Sequence, residues 1–171
     1  GIRMNKYFPL ALIATLFLSV FASALPDDSQ QPISIKANHS KLDNINGILT
    51  YEGAVLFIQG SISIESEYLE VRLVDGAITF AEAKGTPAKF SQMTDIDGTT
   101  MVATGHLLRY EVAIQLLHIA TNAVVIEGDN RMSGGIIDYQ LDTGNADISG
   151  DPNVGDGRME LIFVPAAKDT K

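Results

Sequence analysis

The chain has 171 residues, with 12 basic and 21 acidic side chains, a formal net charge of −9, and neither cysteine nor tryptophan. Such acidity excludes nucleic acid as a partner, because phosphate backbones are bound through a basic footprint. Without cysteine there is no disulfide to reinforce the fold and no thiol nucleophile.

In chain order, Lys6 precedes an apolar run over residues 10–21, followed by the small residues Ala22, Ser23 and Ala24. This succession predicts a secretory signal peptide over residues 1–24, cleaved after Ala24. A retained membrane anchor is the competing reading, but 12 residues (10 to 21) fall short of the roughly 20 that cross a hydrocarbon core. Residues 1–3 precede Met4, the natural start of such a signal, and are set aside. No cysteine follows the apolar run to accept a lipid, so the mature chain is expected to be soluble in the periplasm. Loss of Arg3 and Lys6 leaves 10 basic against 21 acidic residues, or −11. An anionic lipid would therefore have to be held by its chains.

Residues 25–31 are polar, after which Ile33, Ile35 and Ala37 alternate with Ser34, Lys36 and Asn38. That period of two predicts a strand beginning at Pro32. Proline has no N–H to donate and sits at first positions or edges of sheets, so this strand is expected at an exposed edge. The same alternation predicts short strands at 48–51, at 54–58 and around Ile62 and Ile64, separated by turns at Gly53 and Gly60. Further strands are predicted at 68–74, 77–83, 88–93, 107–112, 116–120, 123–126, 136–141, 146–149 and 159–164. No sustained helical period follows Ala24. The fold class expected is all-β over residues 25–166, with a polar tail at 167–171.

A weak internal repeat runs through these segments. Leu69, Leu108 and Ile137 correspond, as do Val71, Tyr110 and Tyr139, and then Leu73, Val112 and Leu141. Repeated hairpins of this size predict a stacked or rolled antiparallel sheet.

Catalytic motifs are absent from the sequence. His39, His106 and His118 lack metal-ligand spacing and read as surface or turn residues. Asp95-Ile96-Asp97-Gly98 starts like a calcium loop but lacks the later acidic ligands, and reads as a hairpin turn with Gly98 supplying positive φ. Residues 150–157 are turn formers without the Lys-Ser/Thr of a phosphate loop, and read as the connection between the last two strands. No Gly-x-Ser-x-Gly elbow occurs. Neither a metal nor a cofactor is expected.

Several segments, taken together, resemble one family. These are Gln31 to Ala37, Leu42-Asp43, Tyr51 to Val55, Gln59-Gly60-Ser61-Ile62, Gly85 to Met93, Gly105-His106, Arg109-Tyr110-Glu111 and Phe163-Val164-Pro165. They are similar to the OstA-like family of lipopolysaccharide-export proteins over the whole mature chain, and the segment from Gly85 to Met93 is the most specific. The resemblance implies an open, twisted antiparallel β-jellyroll that conducts lipopolysaccharide through an apolar groove. It further implies end-to-end partners: copies of itself, an inner-membrane export subunit with a related β-jellyroll, and the N-terminal β-jellyroll of an outer-membrane translocon.

The lipid-contacting positions that the resemblance implies are Ser29, Ile33, Phe90, Tyr110 and Val112. Tyr110 and Val112 are two apart and so share one face of a strand. Strand parity and the repeat add Ile35, Val71, Leu73, Tyr139 and Leu141 as interior residues, either core or lipid-facing. Arg109-Tyr110 follows Gly105-His106 two residues sooner than the family pattern, which leaves Leu107 or Leu108 as further groove candidates. The edges expected to pair with neighbours carry Ile33 and Ile35 at one end and Met159, Leu161 and Phe163 at the other, since unpaired edge strands template strand addition. Two alternatives stand beside this reading. One is an inner-membrane-anchored accessory subunit that keeps its apolar segment. The other is a periplasmic β-sandwich acting on envelope glycans through carboxylates such as Asp95 and Asp97, although tryptophan for sugar stacking is absent.

Overall fold

The computed structural model describes residues 27–166, so the signal peptide and polar tail read from the sequence lie outside the described residues. Ten strands follow in chain order: β1 (Ile33–Lys36), β2 (His39–Asp43), β3 (Ile48–Gln59), β4 (Ile62–Val74), β5 (Ala77–Met93), β6 (Thr100–Glu111), β7 (Leu116–Glu127), β8 (Asn130–Gln140), β9 (Ala146–Ser149) and β10 (Glu160–Ile162). Two 3-10 turns, Asp28–Gln30 and Val112–Ile114, are the only helical segments among the described residues. All pairings are antiparallel, in the order β1-β3-β4-β5-β6-β7-β8-β10. β2 shares β3 with β1, and β9 shares β8 with β10.

The strands are longer than the sequence suggests, because several expected turns are bulges within one strand. β3 runs through Gly53 and Ala54, and β7 runs through Thr121 and Asn122, with all four residues at positive φ. The register also shifts between Glu65 and Tyr68 in β4, between Lys84 and Ala88 in β5, and between Thr104 and Leu107 in β6. A bulge bends a strand and increases its twist. Because these lie side by side from β3 to β7, they form one crease across the sheet. At the crease in β6, a Cβ on Gly105 would stand 2.7 Å from the Ile119 side chain, so only glycine fits without displacement.

The crease divides the sheet into two leaves that face each other. The front leaf carries β1 and β10 at its edges, and the back leaf carries β2 and β9. Inward side chains line up in rows across the strands. On the front leaf one row reads Ile35, Phe57, Ile64, Phe90, Ala103, Val125, Met132 and Leu161. On the back leaf a row reads Leu49, Val71, Ala81, Tyr110, Leu117 and Tyr139. The buried core is drawn from both leaves, with Phe90, Met101 and Val125 from the front and Leu69, Leu117, Ile119 and Ile137 from the back. This is the all-β jellyroll expected, an antiparallel sheet closed on itself along one side only.

The internal repeat has a simple structural meaning. Its three copies lie on β4, β6 and β8, which run in the same direction through the back leaf. Leu69, Leu108 and Ile137 form one inward row, and Val71, Tyr110 and Tyr139 belong to the next. The third set departs from the strands, since Val112 lies in the 3-10 turn and Leu141 follows the end of β8. β2 is a strand the sequence reading did not separate; it is short and exposed, with only Asp43 partly covered. The edge placement expected for β1 is observed.

Candidate functional site

Away from the crease, the leaves part into a groove of about 1240 Å³. The front leaf lines it with Ile33, Phe57, Ile62, Ile64, Phe90 and Met93, together with Gln59 and Gln92. The back leaf contributes Ala77, Ile78, Ala81 and Tyr110, joined by Val112 and Gln115 from the turn after β6. Gly60, Ser61 and Gly76 also line it, and all three stand at strand ends opposite the crease, so the groove opens along that side as a slit. Ligand pockets for ordinary small molecules occupy about 300–1,000 Å³. This volume suits something longer and largely apolar.

Phe90 sits where groove and core meet. It is 1% exposed, pairs across the sheet with Ile64 and Ala103, and lies 6.5 Å from the Tyr110 ring at an interplanar angle of 46°. That tilted arrangement suits two aromatic quadrupoles. Burial pushes the Tyr110 hydroxyl above its ordinary pKa, so it stays neutral in the groove wall.

A strap formed by residues 27–31 covers one end of the groove. It is held by Asp28, whose carboxylate accepts from the Ser61 backbone N–H at 2.6 Å, the Ser61 hydroxyl at 2.8 Å and Gln92 Nε2 at 3.1 Å. Gln59 Nε2 donates to the carbonyls of Ser29 and Gln31, each at 3.2 Å. The sequence explains the closeness of the fit at the β3–β4 turn: Gly60 has φ +58, and a Cβ there would stand 2.2 Å from Asp28 Oδ1.

At the other end of the interior, beyond β6, the leaves are joined directly. The Tyr139 hydroxyl on β8 donates to Glu127 Oε2 at the end of β7, at 2.8 Å. Tyr139 belongs to the back leaf and Glu127 to the front leaf, so the bond crosses between them. Burial, with the Glu127 carboxylate beside it, pushes the Tyr139 hydroxyl well above its ordinary pKa.

The residues implied by family resemblance and those added by parity part company here. Ser29, Ile33, Phe90, Tyr110 and Val112 all line the groove. Ile35, Val71, Leu73, Tyr139 and Leu141 lie outside its lining: Val71 and Tyr139 are buried in the core, and the other three pack against it. The shared face expected for Tyr110 and Val112 needs correction. The chain leaves β6 at Glu111, so Val112 reaches the groove from a 3-10 turn and not by strand alternation. Leu108 is core at 3% exposure, and Leu107 takes the opposite parity, so neither lines the groove. Phe57, Ile62, Ile64, Ile78, Ala81 and Met93 were not singled out from sequence. Cross-strand parity with Ile33 and Phe90 finds Phe57, Ile62 and Ile64 once the pairing is known, whereas Met93 has the opposite parity to Phe90 and joins the lining at the last position of β5.

At the sheet edges, Leu161 lies in β10, while Met159 and Phe163 flank that strand, which is shorter than the expected 159–164. Leu161 and Phe163 are 56% and 66% exposed, and Leu161 continues the inward front-leaf row through Met132. An apolar ledge therefore extends the interior surface at the β10 end. Ile33 at the β1 end is likewise exposed.

The polar motifs that the sequence singles out elsewhere are accounted for by the fold. Asp97 accepts from the Thr99 backbone and hydroxyl in the β5–β6 turn, where Gly98 has φ +92, as the hairpin reading required. Residues 150–157 connect β9 to β10. The histidines stand on strands and not in turns, with His118 Nδ1 2.6 Å from Asp138 and His106 3.3 Å from Asn122. Among the described residues no group of metal-ligating side chains is assembled, and no helix is long and apolar enough to cross a membrane.

Known proteins are similar to this chain in sequence and in fold. The model of the family described as LptA/(LptD N-terminal domain) LPS transport protein matches residues 34–145. The lipopolysaccharide export system protein LptA of Haemophilus influenzae is 27% identical over 165 residues, covering 95% of this chain and 92% of that protein. The corresponding protein LptH of Pseudomonas aeruginosa is 30% identical over 139 residues, covering 80% of this chain and 79% of its own length. LptA of Escherichia coli K12 is 29% identical over 172 residues, covering 99% and 89%. The crystal structure of LptH, described as the LptA homologous periplasmic component of the lipopolysaccharide transport device of Pseudomonas aeruginosa, superposes with a TM-score of 0.75 at 23% identity. It covers 82% of this chain and 100% of that one.

Proposed function

Because the chain belongs to the family of LptA and LptD N-terminal-domain lipopolysaccharide transport proteins, we propose that it carries lipopolysaccharide across the periplasm with the lipid A acyl chains in the groove between its leaves. The observation that carries this reading is the groove itself: large, open along one side, and walled by Ile33, Phe57, Ile62, Phe90, Tyr110 and Val112. Each CH₂ removed from water contributes roughly 0.8 kcal/mol, so several acyl chains outweigh the repulsion between a phosphorylated head and an acidic protein screened by salt. The head stays in solvent at the slit. Transport of this kind makes and breaks no covalent bond, and the direction of flow comes from an energised partner.

Two edges supply the connection to neighbours. Among the described residues β1 and β10 each have one side unpaired, and inward apolar residues stand at each rim: Ile33 and Ile35 on β1, and Leu161 on β10 with Met159 and Phe163 flanking it. Strand addition of β10 of one copy to β1 of the next would continue the front leaf and its inward row. The same edges suit related β-jellyrolls at the inner and outer membranes.

The test replaces Ile33, Tyr110 or Val112 with a photo-crosslinking residue and exposes the purified full chain to lipopolysaccharide. Adducts are expected at these positions and not at the outward Ser34 or Glu111. Adducts at the outward positions alone would overturn the groove assignment. For assembly, a concentration-dependent ladder of oligomers is expected to shrink when residues 159–164 are deleted, and an unchanged ladder would overturn the edge-strand account.

A further inference from the structure

The groove ends at β6, yet apolar inward residues reappear at the β10 rim, with Leu161 56% and Phe163 66% exposed. Between the two lies the Tyr139–Glu127 hydrogen bond. We propose that this bond is a clasp across the slit, which must open for a lipid to pass from the groove to the β10 ledge. The inference rests on the lipid-carrier reading above and concerns the path inside one protomer.

The geometry is as follows. A lipid with its chains between the leaves and its head in solvent crosses the slit between them. It can advance along the roll only where nothing ties the leaves together. Tyr139 is 4% exposed on the back leaf, close to the β8–β9 turn, where a Cβ on Gly144 would lie 3.6 Å from the hydroxyl. Glu127 stands on the front leaf at the last position of β7, beside the β7–β8 turn. Their bond therefore spans the slit at its rim, one strand short of the ledge.

Its chemistry fits a closure that opens reversibly. Glu127 occupies an inward row position next to Met101, which is 0% exposed, where an apolar side chain would pack permanently. A phenol donating to a carboxylate holds the leaves with one directional contact, and both groups can turn to water when a head group displaces them.

The test uses the full chain, preloaded with purified lipopolysaccharide and freed of excess. A photo-crosslinking residue replaces either Val112 in the groove or Phe163 on the ledge. In the otherwise unmodified chain, adducts are expected at Val112 first and at Phe163 after a lag. Tyr139→Phe keeps the ring and removes only the hydroxyl; Glu127→Ala removes the acceptor. Each is expected to speed appearance of the Phe163 adduct by about tenfold, the order of change that follows loss of one hydrogen bond to a charged group, while leaving the Val112 adduct unchanged. The double variant should be no faster than either single one, because both remove the same contact. Thermal unfolding of each variant separates this readout from a loss of stability, and Glu127→Ala carries the test if Tyr139→Phe folds poorly. Equal Phe163 rates in the unmodified chain and both single variants would overturn the clasp and leave the groove reading standing. Absence of adducts at Val112 in the unmodified chain would overturn the groove reading, and the clasp with it.

Discussion

Replacing Phe90 with alanine separates the part of the interior that holds the fold from the part that holds a ligand. The ring is 1% exposed, packs between Ile64 and Ala103 on its own leaf, and meets Tyr110 across the interior. A Phe→Ala change in a closed core costs about 3–5 kcal/mol, combining lost transfer energy with the cavity left behind. Here one side of the ring borders the groove, so the vacated space joins a volume that water already reaches, and the cavity component shrinks. The expected loss is therefore about 3 kcal/mol, at the low end of that range. For a chain of this size it lowers Tm by roughly 10 °C. In urea it shifts the midpoint by about 1.5 M if m is near 2 kcal/mol/M. Phe90→Leu should lose only about 1 kcal/mol, because it refills most of the space. The assay is urea unfolding of both variants followed by circular dichroism. A loss below about 1 kcal/mol for Phe90→Ala at unchanged m would refute the placement of the ring at the junction of core and groove.

Four further variants have expected outcomes set by their local surroundings. Gly105→Ala should cost about 1–3 kcal/mol because its Cβ meets Ile119 at 2.7 Å and the Ala120 carbonyl at 3.1 Å inside the crease. Gly128→Ala, with nothing within 4 Å, should cost only the penalty of positive φ, about 1 kcal/mol; thermal unfolding compares the two. Asp28→Ala should release the strap, visible as at least about tenfold faster hydrogen exchange at the Ser61 amide with core amides unchanged, since that amide donates to Asp28. Glu82 is partly buried, which opposes its charge, but hydrogen bonds from Lys84 and Arg109 outweigh burial and hold its carboxyl below the ordinary value of 4.5. A depressed folded pKa stabilises the protein above the unfolded value and is lost as pH falls through the folded one. The stability difference between the unmodified chain and Glu82→Gln should therefore be present at pH 7 and fade below pH 4.5, as denaturant titrations at each pH would show. It should be under about 1 kcal/mol, because both basic partners are half exposed.

Much of this architecture was legible because strand alternation is a local signal. The period of two marked most strand segments, Pro32 placed β1 at an edge, and the repeat of Leu69, Leu108 and Ile137 identified one inward row before any pairing was known. What the sequence concealed was the crease. Where alternation broke, as between Ala83 and Ala88 in β5, the break read as a turn between two strands. A bulge leaves the same local signature, and only the neighbouring strand, which continues alongside without reversing, distinguishes the two.

That ambiguity also explains why the groove was legible in part. Alternation says which side of a strand a residue takes; it does not say how far apart the facing leaves stand. Val71 and Tyr110 share a row, yet Val71 is sealed in the core and Tyr110 lines the groove. The separation is set by what bridges the leaves. Along β3 to β6 the strap on Asp28 lies over the front-leaf residues Gln59, Ser61 and Gln92, and a long space persists beneath it. Along β7 and β8 Tyr139 reaches across to Glu127, and the space closes. Core and conduit in this fold are thus made from the same alternating residues, and a few polar groups at the rim decide which of the two each row becomes.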